Sequence, residues 1–229
     1  YAAASAVMIT MSGWLTAKLG RRNYFAASIV LFTIASIFCG LSTNVWELVF
    51  FRVVQGIGGG GLLTTAQSIL IQTFPKEQLG IANAIFGMGV IIGPSIGPTL
   101  GGYITDNLSW NWVFYINIPF GILATFLTYA YIKEPAEKVQ AGNMDWLALI
   151  LLTMGIGGLQ IVLEKGQEED WFTSEFIVVM SIAAGIGLIG FIWRQLVVKL
   201  PILDLSLLRQ RRFAVGTLFN FILGFGLFA

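Results

Sequence analysis

Eight long apolar runs joined by short polar connectors leave this chain few ways to fold. They cover Tyr1–Ala17, Tyr24–Leu41, Val45–Phe74, Leu79–Thr105, Trp112–Ile132, Trp146–Leu163, Ser174–Leu196 and a last run that starts near Phe213. A helix needs about 20 mainly apolar residues to cross the hydrocarbon core of a bilayer. Inside that core every backbone polar group has to be satisfied internally, so a run of this kind crosses as a helix. Only 11% of the residues are charged, against about 25% in soluble domains. So few charges cannot give eight apolar helices a surface that faces water. The expected fold is therefore an all-α polytopic membrane protein with antiparallel neighbouring helices, because the connectors are too short for anything else.

Charge placement tests this list of spans. Cytoplasmic loops are enriched in Lys and Arg. With the first connector inside and the sides alternating, Lys18, Arg21, Arg22, Lys76, Lys133, Lys138, Arg194, Lys199, Arg209, Arg211 and Arg212 fall on the inner side. Lys165 alone falls on the outer side, and Arg52 lies within a run. One miscounted span would destroy this asymmetry. The chain opens without an initiator methionine and closes within an apolar run, so it is expected to be part of a longer one.

Composition also excludes functions. A net charge of +1 gives no reason to expect a nucleic-acid partner. Histidine is absent, which removes the commonest general base and metal ligand. Cys39 is the one cysteine and has no partner for an internal disulfide or a metal cluster. No catalytic set appears, and an enzyme is not expected.

Arg52 is the most informative position. Arginine at mid-membrane depth costs about 2.5–3.5 kcal/mol on insertion scales. Gln55, Gly56 and Gly59 follow it at i+3, i+4 and i+7, on one helix face. That face suits a helix lining an aqueous cavity. Two placements would deny Arg52 a transport role: snorkelling to the outer surface, or a static ion pair.

Glycine marks two further regions. The run Gly56–Gly61 lacks the preceding strand and the Gly-Lys-Ser/Thr ending of a phosphate loop. Close approach of helix backbones explains it better. In the fourth run Gly89, Gly93, Gly97 and Gly101 recur every four residues, followed by Gly102, with Pro94 and Pro98 among them. This predicts a kinked helix packed tightly against a partner. At the inner end of the first run stand Gly13, Lys18, Gly20, Arg21 and Arg22. Gly20 can take a positive φ and close a tight turn, and the basic residues serve at least as topological anchors. Asp145 reads as an N-cap of the sixth run, and Ile202–Phe213 as a short helix on the inner surface. Asn107-Leu108-Ser109 matches a glycosylation triplet of a kind frequent by chance.

Taken in order, these patterns resemble the major facilitator superfamily. Gly13–Arg22 is similar to the loop joining that family's second and third helices, Leu48–Gly56 to its fourth-helix arginine motif, and Gly89–Gly102 to the fifth-helix motif of its drug:proton antiporters. Trp110–Gly121, Asp145–Leu149, Gly158–Gly166, Asp170–Ser174 and Pro201–Leu208 resemble the fourteen-helix group of EmrB-type multidrug exporters. The resemblance assigns residues 1-133 to part of the N-terminal bundle (helices two to six), 134-199 to an inserted transmembrane pair, and 200-229 to an interfacial segment and the start of helix seven.

It implies a multi-pass inner-membrane protein that exports small amphipathic or hydrophobic compounds by alternating access. The proton motive force would drive export, with no cofactor. Arg52, Gln55 and Gly56 would serve proton coupling and the conformational change. The Gly/Pro strip would sit between two bundles, and Lys18, Arg21 and Arg22 would help latch the cytoplasmic side. The carboxylate usual in that loop is replaced by Ala17, and the titrating group is expected outside this chain. A periplasmic adaptor and an outer-membrane channel are the implied partners. The alternatives are a dedicated exporter of a metabolite, fatty acid or siderophore, an uptake system, and a non-transporting scaffold or sensor on the same fold.

Overall fold

The computed structural model describes residues 1–134, 144–198 and 201–228. Lys138 and Lys199, both assigned to the inner side, lie outside the described residues. Among the described residues there is no strand. The chain divides into two compact units, Tyr1–Asn143 and Met144–Ala229.

The first unit holds α1 (Ala2–Leu19), α2 (Arg21–Leu41), α3 (Val45–Gly60), α4 (Leu62–Thr73), α5 (Leu79–Asn107), α6 (Trp112–Tyr115) and α7 (Asn117–Tyr131). The second holds α8 (Trp146–Lys165), α9 (Glu175–Val197) and α10 (Arg211–Phe228), with 3₁₀ turns at Trp171–Thr173 and Leu205–Arg209. Helices α3 and α4 form one span, Val45–Thr73, as do α6 and α7, Trp112–Tyr131. All eight expected runs are helical. Six spans among the described residues are long and apolar enough to cross a membrane. The other two helices, α1 and α10, have 18 residues each. Lys18 in one, and Arg211 and Arg212 in the other, reduce their apolar length.

Local chemistry explains the helix ends. Asn44 caps α3 by accepting from the Glu47 N–H at 2.9 Å, and the Glu47 carboxylate accepts from the Thr43 N–H at 2.9 Å. Pro119 lies in the first turn of α7, where its missing N–H costs no helical bond. The sharpest departure from the expected boundaries is at α1–α2. The connector is Gly20 alone, with φ +87°, so Arg21 and Arg22 belong to the first turn of α2 rather than to a loop. Only glycine takes that φ without steric penalty.

Helix α2 is the centre of the first unit. Its buried positions are mostly small: Ala26, Ser28, Ala35, Ser36, Cys39 and Gly40. Small residues let helices approach closely where hydrophobic exclusion from water offers no drive. Helix α2 packs against α3 and α7, and α1 packs against α3.

In the second unit α8 and α9 form an antiparallel hairpin over a cluster of Ala148, Leu152 and Phe191. Gly155 and Gly187 meet backbone to backbone: a Cβ on Gly187 would lie 2.4 Å from the Gly155 nitrogen. Asp145 caps α8 as expected, accepting from the Ala148 N–H at 3.1 Å. It also pairs with Arg194 at 2.9 Å, across the hairpin's open end. The Leu205–Arg209 turn supplies the short helix expected between α9 and α10, capped by Asp204, which accepts from the Ser206 N–H at 3.0 Å.

Candidate functional site

Arg52 lies two turns into α3, about 10 Å along its axis from Val45. Its guanidinium donates to Gln55 Oε1 at 2.8 Å. Gln55 Nε2 donates to Ser36 Oγ on α2 at 2.6 Å, and Ser36 donates to the Phe32 carbonyl at 2.8 Å. The direction of this chain is chemically forced. Arginine has no acceptor, so Gln55 has to present its oxygen to Arg52 and its amide nitrogen to Ser36. Gln55 is 1% exposed and Ser36 0%, whereas Arg52 is partly exposed.

Aromatic rings complete the setting. The guanidinium carbon sits 4.8 Å from the Tyr1 ring centroid and 5.7 Å from that of Phe114, within cation–π range. Arg52 has no ion pair among the described residues. The face shared by Gln55 and Gly56 differs from the expected cavity lining, because it is turned into helix contacts. A Cβ on Gly56 would lie 2.5 Å from the Tyr1 carbonyl oxygen. Of this face's polar groups, Arg52 alone keeps access to space outside the helices.

The glycines after Arg52 hold the site closed. A Cβ on Gly58 would lie 2.6 Å from the Phe32 nitrogen, and one on Gly60 2.5 Å from the Ser5 carbonyl oxygen. Helix α3 is therefore clamped between α1 and α2 at backbone distance. The residue that receives Gln55 on α2 escaped the sequence reading. Ser36 is one of several hydroxyl residues in an apolar run, and only the packing of α3 distinguishes it from Thr33, which bonds its own helix at Ile29 O, 2.7 Å away.

A second cluster forms at the opposite end of the same helices. Arg21 donates to Gln72 Oε1 on α4 and to the Lys133 carbonyl at 3.1 Å. The Arg22 N–H donates to the Glu134 carboxylate at 3.1 Å, and its guanidinium lies 5.7 Å from the Tyr129 ring centroid. Gly20 leaves the space that Glu134 fills, since a Cβ there would overlap the carboxylate. Lys18 is exposed and stacks on Trp14 at 4.6 Å, and Gly13 faces open space. Residues assigned to one side of the membrane by charge alone thus meet in space. Glu134 brings a carboxylate to the α1–α2 turn, near a position where residue 17 is alanine.

The α5 strip behaves differently. Helix α5 continues through Pro94 and Pro98. A Cβ on Gly89, Gly93, Gly97, Gly101 or Gly102 would meet nothing within 4 Å. The expected tight packing is therefore not made by the described residues. Asn111 adds a contact that the motifs did not announce, donating to the Gly40 carbonyl at the end of α2.

The model of the Major Facilitator Superfamily matches residues 1–229. The chain belongs to the major facilitator superfamily. Its relatives there include the "Probable multidrug resistance protein EmrY" of Escherichia coli (strain K12), 41% identical over 94% of this chain and 42% of the relative. The "Multidrug export protein EmrB" of the same strain is 39% identical over 95% of this chain and 43% of the relative. The "Fatty acid resistance protein FarB" of Neisseria gonorrhoeae is 38% identical over 95% and 43%. The chain spans less than half the length of these curated relatives. Six membrane-length spans and this membership make it an all-α, multi-pass protein of the inner membrane.

Proposed function

We propose that the full-length protein is a secondary transporter, not an enzyme, exporting small amphipathic or hydrophobic compounds by alternating access with proton entry as its only energy source. The observation that carries this reading is Arg52, a cation inside a transmembrane helix, anchored by a buried amide and two rings without a carboxylate. The static ion pair that would make this arginine purely structural is not formed among the described residues. An arginine held by neutral groups retains its charge for a mobile partner: a substrate, a proton-carrying carboxylate or an ordered anion.

The names of the relatives, multidrug export and multidrug resistance, support the substrate class. The open glycine strip of α5 supports a second bundle seated there in the longer protein. Lys18, Arg21 and Arg22 act at the cytoplasmic end, where Arg21 and Glu134 hold α2, α4 and the end of α7 together. Residues 1-133 form part of the N-terminal bundle, 134-199 the inserted pair, and 200-229 the approach to the C-terminal bundle. A periplasmic adaptor and an outer-membrane channel complete the export route. A narrower reading, export of long-chain amphiphiles, is favoured by one relative's name, fatty acid resistance.

The test uses full-length protein in proteoliposomes under an imposed pH gradient, with ethidium as the probe. Gradient-driven ethidium movement that Arg52→Ala abolishes is the expected result. Movement indifferent to that substitution rejects Arg52 as a coupling group. No movement of ethidium, with oleate moved instead, selects the narrower reading.

A further inference from the structure

We infer that Ser36 is a positioning residue for Arg52, acting through Gln55, and that this relay couples the orientation of α2 to the direction of the guanidinium. The inference rests on the reading of Arg52 as a coupling group. Gln55 satisfies Arg52 with its oxygen and has only its nitrogen left for α2. That nitrogen finds Ser36 Oγ at 2.6 Å in a site where both side chains are buried. Ser36 passes its own hydrogen to the Phe32 carbonyl at 2.8 Å, so each link of the relay runs through a single hydrogen bond.

The same stretch of α2 is in backbone contact with α3, because Gly58 lies against Phe32. A shift of α2 along α3 therefore breaks the relay before it breaks the helix contact. Gln55 would then lose the bond that fixes its amide toward Arg52, and the surrounding rings do not fix the orientation of a guanidinium as a directed hydrogen bond does. At the Arg52 end of the elements packed around it, the titratable groups are Glu47 on its own helix, Cys39 on α2, Tyr1 before α1 and Tyr115 on α6, while Lys18, Arg21, Arg22 and Tyr24 lie at the other end of α1 and α2. None of them forms an ion pair with Arg52.

The experiment uses the full-length protein in bilayers, with ¹⁵N in the arginine guanidinium groups. The Arg52 signals are identified by their loss in Arg52→Lys. In the parent the two Nη nitrogens are expected to give separate signals, because the bond to Gln55 slows rotation. In Ser36→Ala they are expected to merge, as in Gln55→Leu. Ser36→Thr, which keeps the hydroxyl, leaves them separate. Thr33→Val deletes a hydroxyl of the same helix that lies outside the relay and is expected to change nothing. Gln55→Leu breaks the same link from α3 if the alanine variant does not fold.

Under a pH gradient, Ser36→Ala is expected to lower the maximal rate of ethidium movement about fivefold and to leave its KM within about twofold. Signals that stay separate in Ser36→Ala overturn the proposal. Merged signals with an unchanged maximal rate overturn the importance of the relay for transport. If the parent moves no ethidium, the Nη signals still decide the positioning role, and the exporter reading fails separately.

Discussion

Two glycine-rich stretches of this protein look alike and sit in opposite surroundings. Along α3 and the turn into α4, Gly56, Gly58, Gly60 and Gly61 press on α1 and α2 so closely that added methyl groups would overlap backbone or ring atoms. Along α5, Gly89, Gly93, Gly97 and Gly101 face open space among the described residues. The spacing of small residues therefore states that a helix can approach another closely, not which helix meets it. In the first stretch the partners are the preceding neighbours α1 and α2. In the second, the main packing of α5 among the described residues is against α4 and α6, and none of it reaches the strip.

The largest effect that could break this contrast is expected at Gly58. Gly58→Ala places a methyl group 2.6 Å from the Phe32 nitrogen, a backbone atom that cannot rotate away. Overpacking of this kind costs about 1–3 kcal/mol, more than alanine's helix preference of about 1 kcal/mol returns. A fall in the thermal midpoint of the purified full-length protein would show it. An unchanged midpoint would mean that α2 and α3 separate at little cost.

A smaller and opposite result is expected at Gly97. Gly97→Ala meets no neighbour among the described residues, so stability should be unchanged or rise by up to about 1 kcal/mol. If the strip seats a moving bundle, the same substitution slows gradient-driven ethidium transport without lowering the midpoint. A midpoint lowered as far as in Gly58→Ala would show a static contact on α5 and would erase the contrast between the two stretches.

The α8–α9 hairpin adds a third case, in which a glycine contact is reinforced by charge. The hydrogen bond from Arg194 holds the Asp145 carboxyl below its ordinary value, and the Ala148 N–H adds to the effect. A carboxyl lowered on folding contributes stability above its unfolded pKa, near 3.9, and loses it as pH falls through the lower folded value. Hydrogen exchange at the start of α8 should therefore be steady from neutral pH down to about pH 4 and increase only below it, after correction for the intrinsic rate. Asp145→Asn should remove that acid step. A step that survives in Asp145→Asn would assign it to another carboxylate. This is the smallest of the expected effects, since Arg194 is 34% exposed and solvent weakens the pair.

Much of the architecture was legible without coordinates, because a bilayer leaves little choice. Apolar length sets where helices run, and the packing reading of Gly56–Gly61 needed only the principle that glycine admits close backbones. The turn at Gly20 was legible as a positive φ. That it is the whole connector was not, because Lys18 to Arg22 look polar enough to be a loop. The opposite holds for polar partnerships between helices. Nothing in the α2 run distinguishes Ser36 from Thr33 or Ser28, and nothing near Ala17 announces that a carboxylate arrives from Glu134, more than a hundred residues later.

Sequence by itself determined that this protein crosses a membrane repeatedly, and which residue types are too costly there to be incidental. Those properties follow from each residue's own transfer energy and from helix periodicity, both local quantities. Tertiary structure alone decided that Gln55 turns inward to Ser36 instead of lining a cavity, that Glu134 fills the hollow over Gly20, and that the α3 glycines are covered while those of α5 are not. Such outcomes depend on which helices become neighbours and at what rotation, and rotation about a helix axis is set by the sum of many small contacts across the interface.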